Sequence, residues 1–396
     1  MEACLNDVVT ARADDSVTPA SKDTSNAWCH PGPAAFDFRS DVFTSPTSSM
    51  LEAIKNTTLL DDVYQADPTT NDLESHLAAR TSHEAALFVL SGTMGNQIAL
   101  RSQLQQPPYA ILCDHRGHIF QWEAGGVASL CGALVKTVVP ANGDYLTLED
   151  IESSVVLGDE IHSTPTRVIS LENTLGGIIM PLEETRRITN FARKNNIKVH
   201  LDGARLWEAV AAGAGSLTDY CVLFDSVSLC FSKGLGAPVG SILVGGEAFI
   251  KHARWVRKSI GGGLRQPGLL TAAARVALDE TFGSGPWGEG GKLKGSHSIA
   301  KRITALWTSL GGQLLKKTET NMVWLDLEGS NINVETFVKI GAEHGVALEG
   351  SRLVVHYQIE DAAIEKLKAV FEQVLLEAHI KKATELEFGE RFHGVT

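Results

Sequence analysis

A series of short apolar runs, several ending on a residue able to do chemistry, constrains this chain more than any other feature. Leu87 to Leu90, Ala110 to Asp114, Arg167 to Leu171, Ile197 to Leu201, Ser226 to Phe231 and Gly240 to Val244 each read as a strand. Helical stretches lie between them. Met94 to Gln103 follows the turn Ser91-Gly92-Thr93, and Pro181 opens a helix running to about Asn195, with Glu183 and Glu184 in its first turn. A starting proline and early acidic residues both suit the positive end of a helix dipole. Strands alternating with helices predict an α/β fold whose mostly parallel sheet is covered on both faces. Ligands of such sheets sit beyond the carboxyl ends of the strands. Asp202, Lys233 and the Gly92-Thr93 turn all follow strands, so the three are expected to meet there.

After about Gly290 the texture changes. A helix over Ser296 to Leu310 is followed by strand-like Met322 to Leu327, a helix from Val334 to His344, strand-like Arg352 to Tyr357 and a last helix from about Ile359 to Lys381. This predicts a small α+β C-terminal domain over 290–396, joined from the front of the chain by 36–61, with a large domain over 62–289. Residues 1–35 are rich in Ser, Thr, Asp, Ala and Pro without apolar period, and read as a disordered tail. They lack the apolar middle of a signal peptide, and Glu2, Asp7, Asp14 and Asp15 speak against a transit peptide. A formal charge of -12 argues against nucleic acid or an anionic membrane as partner. No apolar run is long enough to span a bilayer. The six cysteines have neither CxxC pairing nor metal spacing, so reduced thiols, a cytoplasmic location and no metal site are expected.

The chemistry-bearing residues fall in four fragments. In Cys230-Phe231-Ser232-Lys233-Gly234-Leu235-Gly236 a lysine ends an apolar strand and small residues follow, so the amine can point into a site while the backbone turns. A partly desolvated lysine is a nucleophile toward an aldehyde. In Val199-His200-Leu201-Asp202-Gly203-Ala204-Arg205 an acid ends the strand 31 residues before Lys233, about one strand-helix-strand step. A carboxylate there could cap a helix, or hold the protonated pyridine nitrogen of pyridoxal 5'-phosphate, which makes that ring an electron sink. Ser91-Gly92-Thr93 offers helix N-terminal N–H groups and a hydroxyl to a phosphate. His118, in His115-Arg116-Gly117-His118, is a flat side chain that could cover a ring and move protons near neutral pH. Singly, each fragment also fits an ordinary structural role.

Taken together and in this order, the fragments resemble the threonine aldolase family, which belongs to the aspartate-aminotransferase (fold type I) class of pyridoxal-phosphate enzymes. The resemblance extends from Phe36 to about Ala378. It also includes Asp37-Phe38-Arg39-Ser40-Asp41, Asp61-Asp62-Val63-Tyr64, Glu123-Ala124-Gly125-Gly126, Ser170-Leu171-Glu172-Asn173-Thr174, Gly261-Gly262-Gly263-Leu264-Arg265-Gln266 and Arg352. The resemblance implies that Lys233 forms the Schiff base, Asp202 pairs with the pyridine nitrogen, His118 stacks on the ring, Gly92 and Thr93 bind the phosphate, and Arg205 and Arg265 also contact the cofactor. Ser40, Arg205 and Arg352 would take the carboxylate of a small amino-acid substrate. Tyr64, Lys258 and Arg265 match positions lining the site, in this family partly from a neighbouring subunit, so a homodimer or homotetramer is implied.

One departure bears on the reaction. Many members carry a second histidine just after Glu-Asn-Thr, where it can contact a substrate hydroxyl. Here Glu172-Asn173-Thr174 is followed by Leu175-Gly176-Gly177. Fungal alanine racemases resemble the same family, and their substrate has no hydroxyl. The motifs favour an aldolase that cleaves L-threonine, L-allo-threonine or a related β-hydroxy-α-amino acid to glycine and an aldehyde. A racemase on the same scaffold is the alternative.

Overall fold

The computed structural model describes residues 27–158 and 160–393. Its strands are β1 (Ala85–Val89), β2 (Ala110–Asp114), β3 (Leu134–Val138), β4 (Thr166–Glu172), β5 (Lys198–Asp202), β6 (Ser226–Cys230), β7 (Ser241–Gly245), β8 (Gln313–Leu314), β9 (Met322–Asp326) and β10 (Arg352–Val354). Among the described residues the first seven form one sheet in the order β1-β7-β6-β5-β4-β2-β3. The pairs from β6 to β3 are all parallel. The exception is β7, antiparallel to both β6 and β1. Its connection from β6 holds only residues 231–240 and no helix, and a parallel return needs a longer crossover. Because β7 reverses between them, β1 and β6 run the same way, and six strands end at one edge.

The central strands β4, β5 and β6 are buried on both faces but apolar on only one, since Ser170, His200, Ser226 and Ser228 are buried on the other. Ile169, Leu171, Val199, Leu201, Val227 and Leu229 are all buried in the main core. A second core is built from Phe38 and from residues between Ala300 and Ala378, around the antiparallel sheet β10-β9-β8. The helix Leu293–Ser309 belongs to both, with Leu293 in the first and Ala300, Ile303 and Trp307 in the second.

The front of the chain departs from expectation. The tail expected to be disordered through residue 35 is already folded at Gly32–Phe36, a 3-10 turn with Ala34 and Ala35 buried. Glu360 N–H, directly ahead of the last helix, donates to Ala35 O at 3.3 Å and holds this turn. Residues 1–26, including Cys4, lie outside the described residues. The segment 36–61 divides between the two cores. Phe38 donates to Ala347 O and joins the second core, whereas Met50, on the helix Ser48–Lys55, packs into the first. The last strand stops at Val354 rather than Tyr357, and the final helix runs over Asp361–His393, beyond the expected end near Lys381. The strand β3 was not expected. Its half-exposed residues at the sheet edge give no apolar run to read.

Candidate functional site

At the edge where β4, β5 and β6 end, Glu172 and Asp202 sit side by side in register, and Lys233 follows β6 by three residues. Asp202 is buried and accepts from Asn96 Nδ2 at 2.7 Å and from the N–H of Ala204 at 3.1 Å. The same Asn96 Nδ2 donates to Glu123 Oε1 at 2.8 Å, and His118 Nδ1 lies 2.9 Å from that oxygen. Gln97 Nε2 donates to the other Glu123 oxygen. The bond to Glu123 holds the His118 imidazole above its usual range despite partial burial, and the Asp202 carboxylate adds to this. The N–H of His118 is taken by Glu172 Oε2 at 2.9 Å. Loss of water raises the Glu172 carboxyl, and the Asp202 charge beside it raises it further.

The helix Gly92–Gln103 starts directly beyond β1. Ser91 Oγ caps it by accepting from Met94 N–H at 3.1 Å, and the N–H groups of Gly92 and Thr93 have no acceptor within the helix. A side chain at Gly92 would place its Cβ 2.7 Å from Cys230 Sγ. The glycine therefore lets this helix start approach the end of β6.

Asp41 was quoted in the sequence without a role, and it organises the other side of the site. Arg205 grips it with both arms of its fork, Nε to Oδ2 at 2.8 Å and Nη2 to Oδ1 at 2.5 Å. Asn321 Nδ2, directly before β9, approaches Asp41 Oδ2 at 3.3 Å. Burial would push this carboxyl up, but Arg205 and then Lys233 outweigh it and bring it to about 2. Arg205 was expected to bind a substrate carboxylate with its fork, but that fork is already committed to Asp41. Arg352 lies close enough to Arg205 to feel its charge, and its head donates to Arg39 O at 3.3 Å. Ser40 Oγ accepts from Val42 N–H at 3.4 Å, and Thr44 Oγ1 reaches Lys233 O at 3.5 Å, so the 36–44 segment leans on the lysine turn.

Three predicted residues are not gathered here within the single chain. Tyr64 is 80% exposed. Arg265, also exposed, pairs with Asp61 at 2.6 Å, and Lys258 packs beside Gly263 and Val63. They form a separate surface group around the Asp61-Asp62-Val63-Tyr64 segment. Sequence reasoning also gave no role to Asn96, Glu123 and Glu172, or to the buried pair of His297 Nε2 and Glu208 Oε2 at 2.6 Å. Glu208 Oε1 lies against Gly234, where a Cβ would meet it at 2.6 Å. The available signal was position, since Asn96 lies one helical turn into a helix that follows a strand and Glu172 ends a strand.

The beta-eliminating lyase family model matches residues 37–330. The chain belongs to that family. Among its relatives are an aldolase of Penicillium aethiopicum, 56% identical over 88% of each chain, and an alanine racemase of Cochliobolus carbonum, 47% identical over 90% of this chain and 91% of that one. A low-specificity L-threonine aldolase of Candida albicans is 48% identical over 84% of this chain and 88% of its own. The fold matches a Leishmania major threonine aldolase structure with a TM-score of 0.72 at 21% identity, covering 86% of this chain and 99% of that one. The α/β fold with a mostly parallel sheet read from the sequence is thereby shown for this family member.

Proposed function

We propose that this family member is a pyridoxal-phosphate-dependent aldolase. Its substrates are L-threonine, L-allo-threonine or a related β-hydroxy-α-amino acid, cleaved reversibly to glycine and an aldehyde. The observation that carries the reading is the unbroken series His118–Glu123–Asn96–Asp202 beside the Lys233 turn. The donor set suits the cofactor. An amine at Lys233 would hold its aldehyde, Asp202 its ring nitrogen, and the capped helix start at Gly92 and Thr93 its phosphate. When bound, pyridoxal phosphate supplies a sink for the electron pair left at Cα.

This chain's residues do the rest. Arg352, Ser40 and the outer nitrogen of Arg205 would receive the substrate carboxylate, with Asp41 fixing the Arg205 plane. Cleavage removes the β-hydroxyl proton as Cα–Cβ breaks, and returns a proton to Cα. Glu123 occupies His118 Nδ1, so Nε2 is the nitrogen left to carry a proton. Glu172, its carboxyl raised, is a second place for a proton at the same edge.

A racemase is the second reading. Leu175, where many family members carry a histidine, lines a small cleft with Tyr145, Leu146, Ile178 and Met180 against Glu172, and offers a substrate hydroxyl no polar partner. The alanine racemase among the relatives supports it.

We further place the enzyme in the cytosol, as a homodimer or homotetramer. The described cysteines are free thiols, four of them buried. No helix among the described residues is long and apolar enough to cross a membrane. The oligomer is inferred from the exposed group of Tyr64, Lys258 and Arg265, which the family resemblance assigns partly to a neighbouring subunit's site.

The test is a paired assay with added cofactor. L-threonine and L-allo-threonine are followed for acetaldehyde and glycine, and L-alanine in deuterated water for D-alanine. Fast acetaldehyde release with little D-alanine is expected. Fast D-alanine formation with weak cleavage would replace the aldolase by the racemase.

A further inference from the structure

The series at the site does not stop at Asn96. His200 Nε2 lies 3.1 Å from Asn96 Oδ1, and His200 Nδ1 lies 2.8 Å from Ser226 Oγ. Gln103 Nε2 donates to the same Ser226 oxygen at 2.8 Å. The series runs between the sheet and the helix Gly92–Gln103: His200 and Ser226 are fully buried, Asn96 is 1% exposed, and Gln103 at the far end is half-buried.

The direction of every bond follows from what each group can do. Carboxylate oxygens accept, so both Asn96 amide hydrogens point at Asp202 and Glu123, and the amide oxygen must turn to His200. That oxygen only accepts, so His200 carries its proton on Nε2. Its Nδ1 therefore accepts, and the Ser226 hydroxyl donates to it while receiving from Gln103. Burial brings the imidazole down to about 4, against the pull of Asp202, so the ring is neutral at physiological pH, as this arrangement needs. One polarity runs from Gln103 through Ser226 and His200 to Asn96, where it divides between Asp202 and Glu123.

We infer that Asn96 is a positioning residue that ties the orientation of Asp202 to that of His118, and that His200, as its Nε2–H tautomer, sets Asn96. A turned Asn96 amide would aim its oxygen at two carboxylates. A turned imidazole would leave the amide oxygen without a donor in a dry interior, and buried polar groups left unpaired are costly. The series thus permits one arrangement. Its catalytic consequence rests on the reading above that Asp202 and His118 serve the cofactor.

Three measurements test it. Nitrogen-15 histidine spectra of the cofactor-free protein should show His200 as the neutral Nε2–H tautomer near neutral pH. An Nδ1–H tautomer overturns the inference. In the same protein His200→Leu should displace the titration of His118, which His200 does not touch, and His200→Gln, which restores a donor, should return it. Glu123, Asp202, Glu172 and Lys233 are the charged groups facing His118, and neither variant alters them. An unmoved His118 in folded His200→Leu overturns the coupling.

In the holoenzyme His200→Leu should lower kcat about tenfold or more with little change in KM, the cost of an unpaired buried amide, and His200→Gln should recover most of it. A packing role alone predicts the opposite order, because leucine fills an apolar interior well. If both spectroscopic results hold while kcat does not move, the catalytic role is overturned. The error then lies in the part given to Asp202, not in the hydrogen-bonded series.

Discussion

Asp41 shows how much one side chain can organise without touching a substrate. Its carboxylate neutralises Arg205 and lies within the field of Lys233, and Asn321 reaches it from beside the second core. Asp41→Asn would leave the buried guanidinium without a counter-charge. Breaking such a pair costs about 3 to 5 kcal/mol, so the urea midpoint should fall accordingly, and an unchanged midpoint would mean Arg205 finds another partner. His118 gives a pH dependence of known sign. Its imidazole is raised above 6.5 by Glu123, so the protonated ring favours the folded state. That contribution is whole below 6.5 and fades as pH climbs through the raised value. The difference in Tm between the wild type and His118→Gln should therefore shrink on raising pH from 6 towards 9. A difference that grows instead would reverse the assignment.

At the scale of elements, the start of the helix Gly92–Gln103 is set by a close approach. Gly92→Ala puts a methyl 2.7 Å from Cys230 Sγ, and overpacking of this kind costs about 1 to 3 kcal/mol. Cofactor retention should drop as the helix start moves away from the lysine turn. Adding Cys230→Ala should restore it by removing the sulfur, and a double variant as weak as the single one would point to another cause. These elements also mark how far the sequence could be read. The strands ending at Asp114, Asp202 and Cys230 were legible as short β-rich runs, unbroken over 110–113 and alternating over Lys198–Asp202 and Ser226–Cys230. Asp202, Lys233 and His118 were legible because each follows such a run or turn. Asn96, Glu123 and Asp41 were quoted without function, because a hydrogen-bond partner distant in sequence leaves no local trace. Arg205 was legible as a site residue but not as the partner of Asp41, since that pairing spans 164 positions.

For the whole molecule, two cores linked by a shared helix and by the segment 36–61 set the relation between the site's halves. The helix Leu293–Ser309 enters the first core at Leu293, brings His297 to Glu208 beneath the lysine turn, and continues into the second core at Trp307. Trp307 is fully buried against Phe371, with ring centroids 4.9 Å apart. Trp307→Ala should cost about 3 to 5 kcal/mol and, because Asn321 and Arg352 stand at the sheet of this core, weaken substrate binding before cofactor retention. Equal loss of both would mean that the two cores unfold together.

The most direct test concerns Lys233. Borohydride reduction of the holoenzyme, followed by peptide mass mapping, should find the pyridoxyl group on the peptide containing Lys233. Lys233→Ala should show no such label and no turnover. A pyridoxyl group fixed on another lysine, or substantial turnover by Lys233→Ala at saturating substrate, would contradict the account.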